Sequence, residues 1–168
     1  MLKIYLAGPD VFRPDAFAQG ERLKALCAEL ELQGLYPLDH SVPEGIANPP
    51  EQALWIYQAN LNLIAEADAV LANLNPFRGA EPDSGTAFEL GYAAALGKPL
   101  YGYIEEGGNC AERLPCEWRG EEPGRDRDGN QIESFGLPLN LMLGVPVRIA
   151  VGGPREALQL LRAELLQL

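Results

Sequence analysis

Two carboxylates six positions apart, Asp83 and Glu89, are the side chains in this sequence whose type and spacing best suit chemistry. They lie in the run Pro76-Phe77-Arg78-Gly79-Ala80-Glu81-Pro82-Asp83-Ser84-Gly85-Thr86-Ala87-Phe88-Glu89-Leu90-Gly91-Tyr92. An ionised carboxylate can attack an electrophilic carbon and form an ester. Paired acids also suit glycosyl chemistry, where one group attacks the anomeric carbon and another handles the proton on the leaving group. A plainer role stays open, in which Asp83 only caps a helix and Glu89 meets a lysine or arginine.

The elements that must hold these groups are legible around them. Asp68 to Leu74 is an apolar, strand-like run, and the Pro/Gly-rich loop after it opens into a helix. Asp83 or Ser84 suits the N-cap, because either side chain accepts a bond from an unpaired first-turn amide. Gly97 and Pro99 stop the helix. Gly91, Ala93, Ala94 and Ala95 are small, which predicts a helix lying close on a sheet. A strand–loop–helix unit places such a loop at the carboxyl edge of a sheet, where α/β proteins bind ligands.

The rest of the chain alternates in the same way. Lys3–Ala7 reads as a strand ended by Gly8-Pro9, Pro14–Gln33 as an amphipathic helix with Phe17, Leu23, Leu26, Cys27 and Leu30 inward, and Leu35–Leu38 as a weak strand. Glu51–Ala67 reads as a helix and Pro99–Ile104 as a fourth strand. Glu105–Gly136 forms a long polar excursion with a turn at Asp128-Gly129. Leu137–Leu143 is a short apolar segment before a fifth strand at Pro146–Val151, and Pro154–Leu168 is a closing helix. Connection rules then predict an α/β doubly wound, five-stranded parallel sheet in flavodoxin-like order, with helices on both faces, as one domain over 1–168.

Composition narrows the partners. A net charge of −11 disfavours nucleic acid polymers and anionic membranes, and favours a small neutral or weakly charged ligand. The three cysteines, Cys27, Cys110 and Cys116, have no metal spacing, and their odd count suits a reducing compartment. With no apolar run near ~20 residues and no leader pattern, a cytoplasmic protein is expected. After the first strand stands Ala7-Gly8-Pro9-Asp10 rather than a dinucleotide fingerprint, and no P-loop pattern occurs. One histidine, His40, excludes a His-rich metal centre and reads as structural. Asp126-Arg127-Asp128-Gly129-Asn130 is too short a match for a calcium loop and reads as a turn. No cofactor and no metal are expected.

The segment Asp83-Ser84-Gly85-Thr86-Ala87-Phe88-Glu89-Leu90-Gly91-Tyr92-Ala93, preceded by Asn75-Pro76-Phe77-Arg78-Gly79, resembles the signature of the nucleoside 2-deoxyribosyltransferase family. Ile4–Pro9 and Pro138-Leu139-Asn140-Leu141-Met142-Leu143 extend the resemblance over most of the chain. It implies a transferase of nucleoside salvage that moves 2-deoxyribose between nucleobases, through a covalent deoxyribosyl-glutamate. It implies Glu89 as nucleophile, Asp83 as substrate-positioning acid, Tyr5 beside the nucleophile, and Asn140 reaching into a neighbouring subunit's site. A homo-oligomer follows, a dimer or trimer of dimers. Some members carry an aspartate that protonates the departing base; the matching position here is Asn60, whose amide can hydrogen-bond a base but is no general acid. Asp83 or a water would then supply the proton. The loop of Asp39, His40 and Ser41 is expected to border the base. Two alternatives remain, a deoxynucleoside 5′-monophosphate N-glycosidase and a non-catalytic nucleotide-binding module.

Overall fold

The computed structural model describes residues 1–113 and 124–166. Five strands, β1 (Lys3–Ala7), β2 (Gln33–Leu35), β3 (Ala69–Asn73), β4 (Leu100–Ile104) and β5 (Arg148–Val151), form one sheet in the order β2-β1-β3-β4-β5. Every pairing is parallel, with Tyr5 opposite Val70 and Ala72 opposite Gly102. This is the flavodoxin-like order expected from the alternation of elements.

Period-two alternation along each strand divides the core between the two faces. Tyr5, Ala7, Val70, Ala72 and Leu100 face Leu63 and Ile64 of α2 (Pro49–Glu66), Leu90 and Ala93 of α3 (Ser84–Ala95), and Leu143 of the short α5 (Leu141–Gly144). Ile4, Leu6, Leu71, Tyr101 and Tyr103 face the other way, onto Leu23 and Cys27 of α1 (Ala16–Glu29) and Leu158 and Leu161 of α6 (Pro154–Leu165). The central strands are covered on both sides, which is why they read as continuous apolar runs. A further short helix, α4, spans Cys110–Arg113.

Several boundaries and faces differ from the sequence expectation. The second strand ends at Leu35 and does not run to Leu38, because Pro37 starts a 3-10 turn over Pro37–Asp39. α1 is shorter than Pro14–Gln33, ending before Glu31, which adopts a left-handed φ of 60°. Phe17 is 72% exposed and not inward; Ala16, Gly20, Leu23 and Cys27 form the buried stripe. On α3 only Ala93 of the small residues lies on the sheet, while Gly91, Ala94 and Ala95 face outward. In the excursion after β4, an antiparallel bridge joins Arg125 and Gln131 around the expected turn. Residues 114–123 of that excursion, with Cys116, lie outside the described residues, as do the last two residues of the closing helix.

Close approach at the carboxyl edge explains two glycines. A Cβ on Gly102 would lie 2.5 Å from Leu74 Cδ1, and one on Gly8, at φ +152°, would lie 2.8 Å from Asn73 Cβ. Gly8 thus lets the loop after β1 press against the end of β3. Asp10 is buried there and accepts hydrogen bonds from Asn73 Nδ2 (2.8 Å) and Gln19 Nε2 (3.2 Å), which fastens the loop to the sheet edge and to α1. Among the described residues no helix is long and apolar enough to cross a membrane.

Candidate active site

Asp83 is the N-cap of α3: its Oδ2 accepts from the Thr86 amide at 2.9 Å and the Thr86 hydroxyl at 3.0 Å. The cap fixes the entry of the helix, and 3.6-residue periodicity then turns Glu89 back toward the sheet, beside buried Thr86, Leu90 and Ala93. On the sheet, strand parity points Tyr5 at that same face, where it is wholly buried. The Tyr5 hydroxyl donates to Glu89 Oε1 at 2.5 Å, a charge-assisted contact across 84 residues of sequence.

Burial governs the electrostatics. Glu89 is pushed up to about 7, chiefly because the folded protein withholds water from the ionised form. The Tyr5 hydrogen bond opposes this, and the nearby Asp83 charge adds to it. The α3 first-turn amide at Thr86 goes to Asp83 and not to Glu89, and among the described residues only the Tyr5 hydrogen bond offsets the burial. The Tyr5 phenol is held far above its usual range, first by burial and then by Glu89, so it stays protonated and acts as a donor. Glu89 makes no ion pair with a lysine or arginine among the described residues, which disposes of that plainer role. The plainer role for Asp83 is realised, since the carboxylate does cap the helix, yet its Oδ1 accepts no bond from a described residue.

Asn60 sits on the inner side of α2, a turn before fully buried Ile64 and a turn after Tyr57, whose ring lies 6.1 Å from Phe88 of α3. Its Oδ1 is buried without a hydrogen-bond partner among the described residues. Such an orphaned acceptor is rare and awaits a donor. Asn140 forms no hydrogen bond with Glu89, Tyr5 or Asp83. It caps α5, accepting from the Met142 amide at 3.1 Å, and its Nδ2 donates to Glu81 Oε2 at 3.4 Å. It lines a cavity of about 630 Å³ with Glu81, Cys110, Gln131 and Glu133, which Glu89 and Tyr5 do not line.

The loop expected to border the base is held against α1 and α2. Asp39 accepts from Lys24 of α1 (2.6 Å) and from the Tyr36 amide (2.9 Å), and His40 lies over the outer face of α2 near Trp55, Asn62 and Glu66. The sequence reading missed a group carried by the loops that follow β1 and β3. Phe12, from the 3-10 turn after β1, stacks on Phe77 from the loop after β3, and Arg78 lies over both rings. Among the described residues no three His, Cys, Asp or Glu side chains are placed to hold a metal ion.

A protonated phenol bonded to a half-buried carboxylate of raised pKa, at the carboxyl edge of a doubly wound sheet, is an arrangement able to support carboxylate chemistry in an α/β protein. Comparison with known proteins agrees: the nucleoside 2-deoxyribosyltransferase family model matches residues 4–142, and the chain belongs to that family. A 2-deoxyribosyltransferase from Leishmania mexicana is similar at 36% identity, with 98% of this chain and 99% of that one covered and a TM-score of 0.78. An uncharacterized protein of Schizosaccharomyces pombe is 40% identical over 165 residues, covering 89% of this chain and 78% of that one. The fold is shared more distantly with a CMP N-glycosidase from Clostridium botulinum, at 17% identity, 97% and 99% coverage and a TM-score of 0.50.

Proposed function

We propose that the protein transfers 2-deoxyribose between nucleobases by a retaining double displacement through Glu89. The observation that carries this is the half-buried Glu89 carboxylate, without a cationic partner among the described residues and held at 2.5 Å by the Tyr5 phenol. In the first step a Glu89 oxygen forms a bond to C1′ while the N-glycosidic bond breaks, through an oxocarbenium-like state. The bonding pair leaves with the base, which takes a proton from water. In the second step a ring nitrogen of another base attacks C1′, the ester opens, the incoming base gives its proton to water and Glu89 is a carboxylate again. The two inversions retain configuration. A substrate without a 2′-hydroxyl lacks the electron-withdrawing oxygen that would oppose the developing charge.

Each neighbour has a place in this scheme. Tyr5 aims one oxygen of Glu89 and leaves the other for C1′. The open Oδ1 of Asp83 suits a sugar hydroxyl, and the orphaned Asn60 oxygen suits an N–H donor on the base. Asn140, which forms no hydrogen bond with Glu89 in its own chain, serves the site of a neighbouring copy. Exposed Leu54, Tyr57 and Phe88 beside that site supply apolar surface for such a homo-oligomer.

The monophosphate glycosidase is disfavoured by Asp83. A phosphate would seek the first-turn amides of α3, but a carboxylate already holds the Thr86 amide and repels an anion there. The deciding assay mixes 2′-deoxyinosine with free adenine. Formation of 2′-deoxyadenosine supports transfer; release of deoxyribose 5-phosphate from a monophosphate, without exchange, supports the glycosidase; tight binding without product supports the binding module.

Asp83→Asn tests the electrostatics. Asparagine caps a helix as well as aspartate does, so thermal stability should hold within ~0.5 kcal/mol. Removing the charge eases ionisation of Glu89, so the rising limb of kcat/KM against pH moves toward acid. An unmoved limb would show that the Asp83 charge is not felt at Glu89.

A further inference from the structure

We propose that Arg78, carried on the faces of Phe12 and Phe77, reads the acceptor edge of a 6-oxopurine base and sets base preference. The inference rests on the transferase reading above. Phe12 and Phe77 come from the loops after β1 and β3, neighbouring strands whose carboxyl ends carry the site. Their rings stack at 5.5 Å and 15°, and the Arg78 guanidinium carbon lies 4.7 Å from the Phe77 centroid and 5.1 Å from that of Phe12. Phe12 is 56% exposed, so this aromatic layer stays open on one side.

Arg78 stands out chemically. Every other arginine whose side chain is described meets a carboxylate or a carbonyl. Arg78 has neither among the described residues, in a chain whose net charge is −11. It also holds a left-handed φ of 54°, a backbone state that non-glycine residues rarely adopt. A stacked guanidinium keeps its N–H edge available, and that edge donates only.

The open aromatic face selects a flat ligand. A dianionic phosphate is disfavoured by Asp83 at the adjoining helix mouth. Among bases, the forked donor matches two adjacent acceptors, the O6 and N7 of hypoxanthine or guanine. Adenine presents an amino donor where O6 would be, and meets the guanidinium donor to donor.

The test uses the intact protein with Arg78→Gln and Arg78→Lys, both at an exposed position. With 2′-deoxyadenosine as the common donor, kcat/KM is measured for hypoxanthine and for isotope-labelled adenine, and binding of each free base is measured by calorimetry. Wild type should favour hypoxanthine. Arg78→Gln should lose about tenfold to a hundredfold on hypoxanthine and less than about threefold on adenine; Arg78→Lys, without the fork, should lose most of the preference too. Equal losses on both bases, no loss, or a loss confined to 5′-monophosphates would overturn the assignment. Calorimetry needs no turnover, so a wild type that exchanges no base defeats the transferase reading while the binding difference still decides Arg78.

Discussion

Glu89→Gln is expected to abolish base exchange and, at the same time, to make the folded protein more stable above neutral pH. The amide cannot supply the electron pair that forms the sugar ester, so the loss should be at least about a thousandfold, as for other covalent nucleophiles. The stability gain has a separate cause. Glu89 titrates near 7 in the folded chain against 4.5 for an ordinary glutamate, so folding disfavours its ionised form. Its contribution is fully present below about 4.5 and is lost as pH rises through about 7. At pH 8 the ionised carboxylate therefore costs on the order of 3 kcal/mol, which glutamine, still able to accept from Tyr5, does not incur. For a chain of this size that corresponds to roughly 5–10 °C in Tm at pH 8, shrinking to nothing near pH 4. Paired thermal melts at the two pH values check it. An inactive variant with no such pH-dependent gain would mean that Glu89 is not the buried acid described here; a variant with near-normal exchange would remove it as nucleophile.

Tyr5→Phe should move the pH dependence and not only the rate. The phenol opposes the burial that raises Glu89, so removing the hydroxyl makes the carboxylate harder to ionise. The rising limb of kcat/KM, placed near pH 7 in the wild type, should shift to alkaline pH. Activity at pH 6 should fall by about tenfold or more, the worth of a hydrogen bond to a charged group, and recover in part by pH 9. A purely structural tyrosine would lower activity by the same factor at every pH. The opposite shifts expected for Tyr5→Phe and Asp83→Asn make the pair a direct reading of which neighbours Glu89 feels.

The Arg78 assignment joins these residues into one division of labour. Under the proposed transfer, Glu89, Tyr5 and Asp83 would act at the sugar from the α3 face of the sheet, and the aromatic–guanidinium group from the loops after β1 and β3 would meet the base. All of it stands at the carboxyl edge, because parallel strands deliver every β–α loop to that edge. Specificity can then change in the loops while the packed sheet holds the carboxylate in place.

By itself, the sequence determined the order of elements, the parallel sheet, an N-cap at Asp83 or Ser84 and the stop at Gly97, because these are set by local periodicity, capping and connection rules. The family model likewise matches residues 4–142, a stretch that contains Glu89 and Asp83, without any coordinates. Tertiary structure alone decided what those groups feel. Tyr5 meets Glu89 because a strand of period two and a helix of period 3.6 present them on one face, 84 residues apart. The elevation of Glu89 is a burial effect, and burial is a property of the packed molecule. The same holds for Phe17 turning outward, for the orphaned oxygen of Asn60, and for Arg78 on its two phenylalanines: local spacing names the residue, but only the packing of distant segments chooses its neighbours.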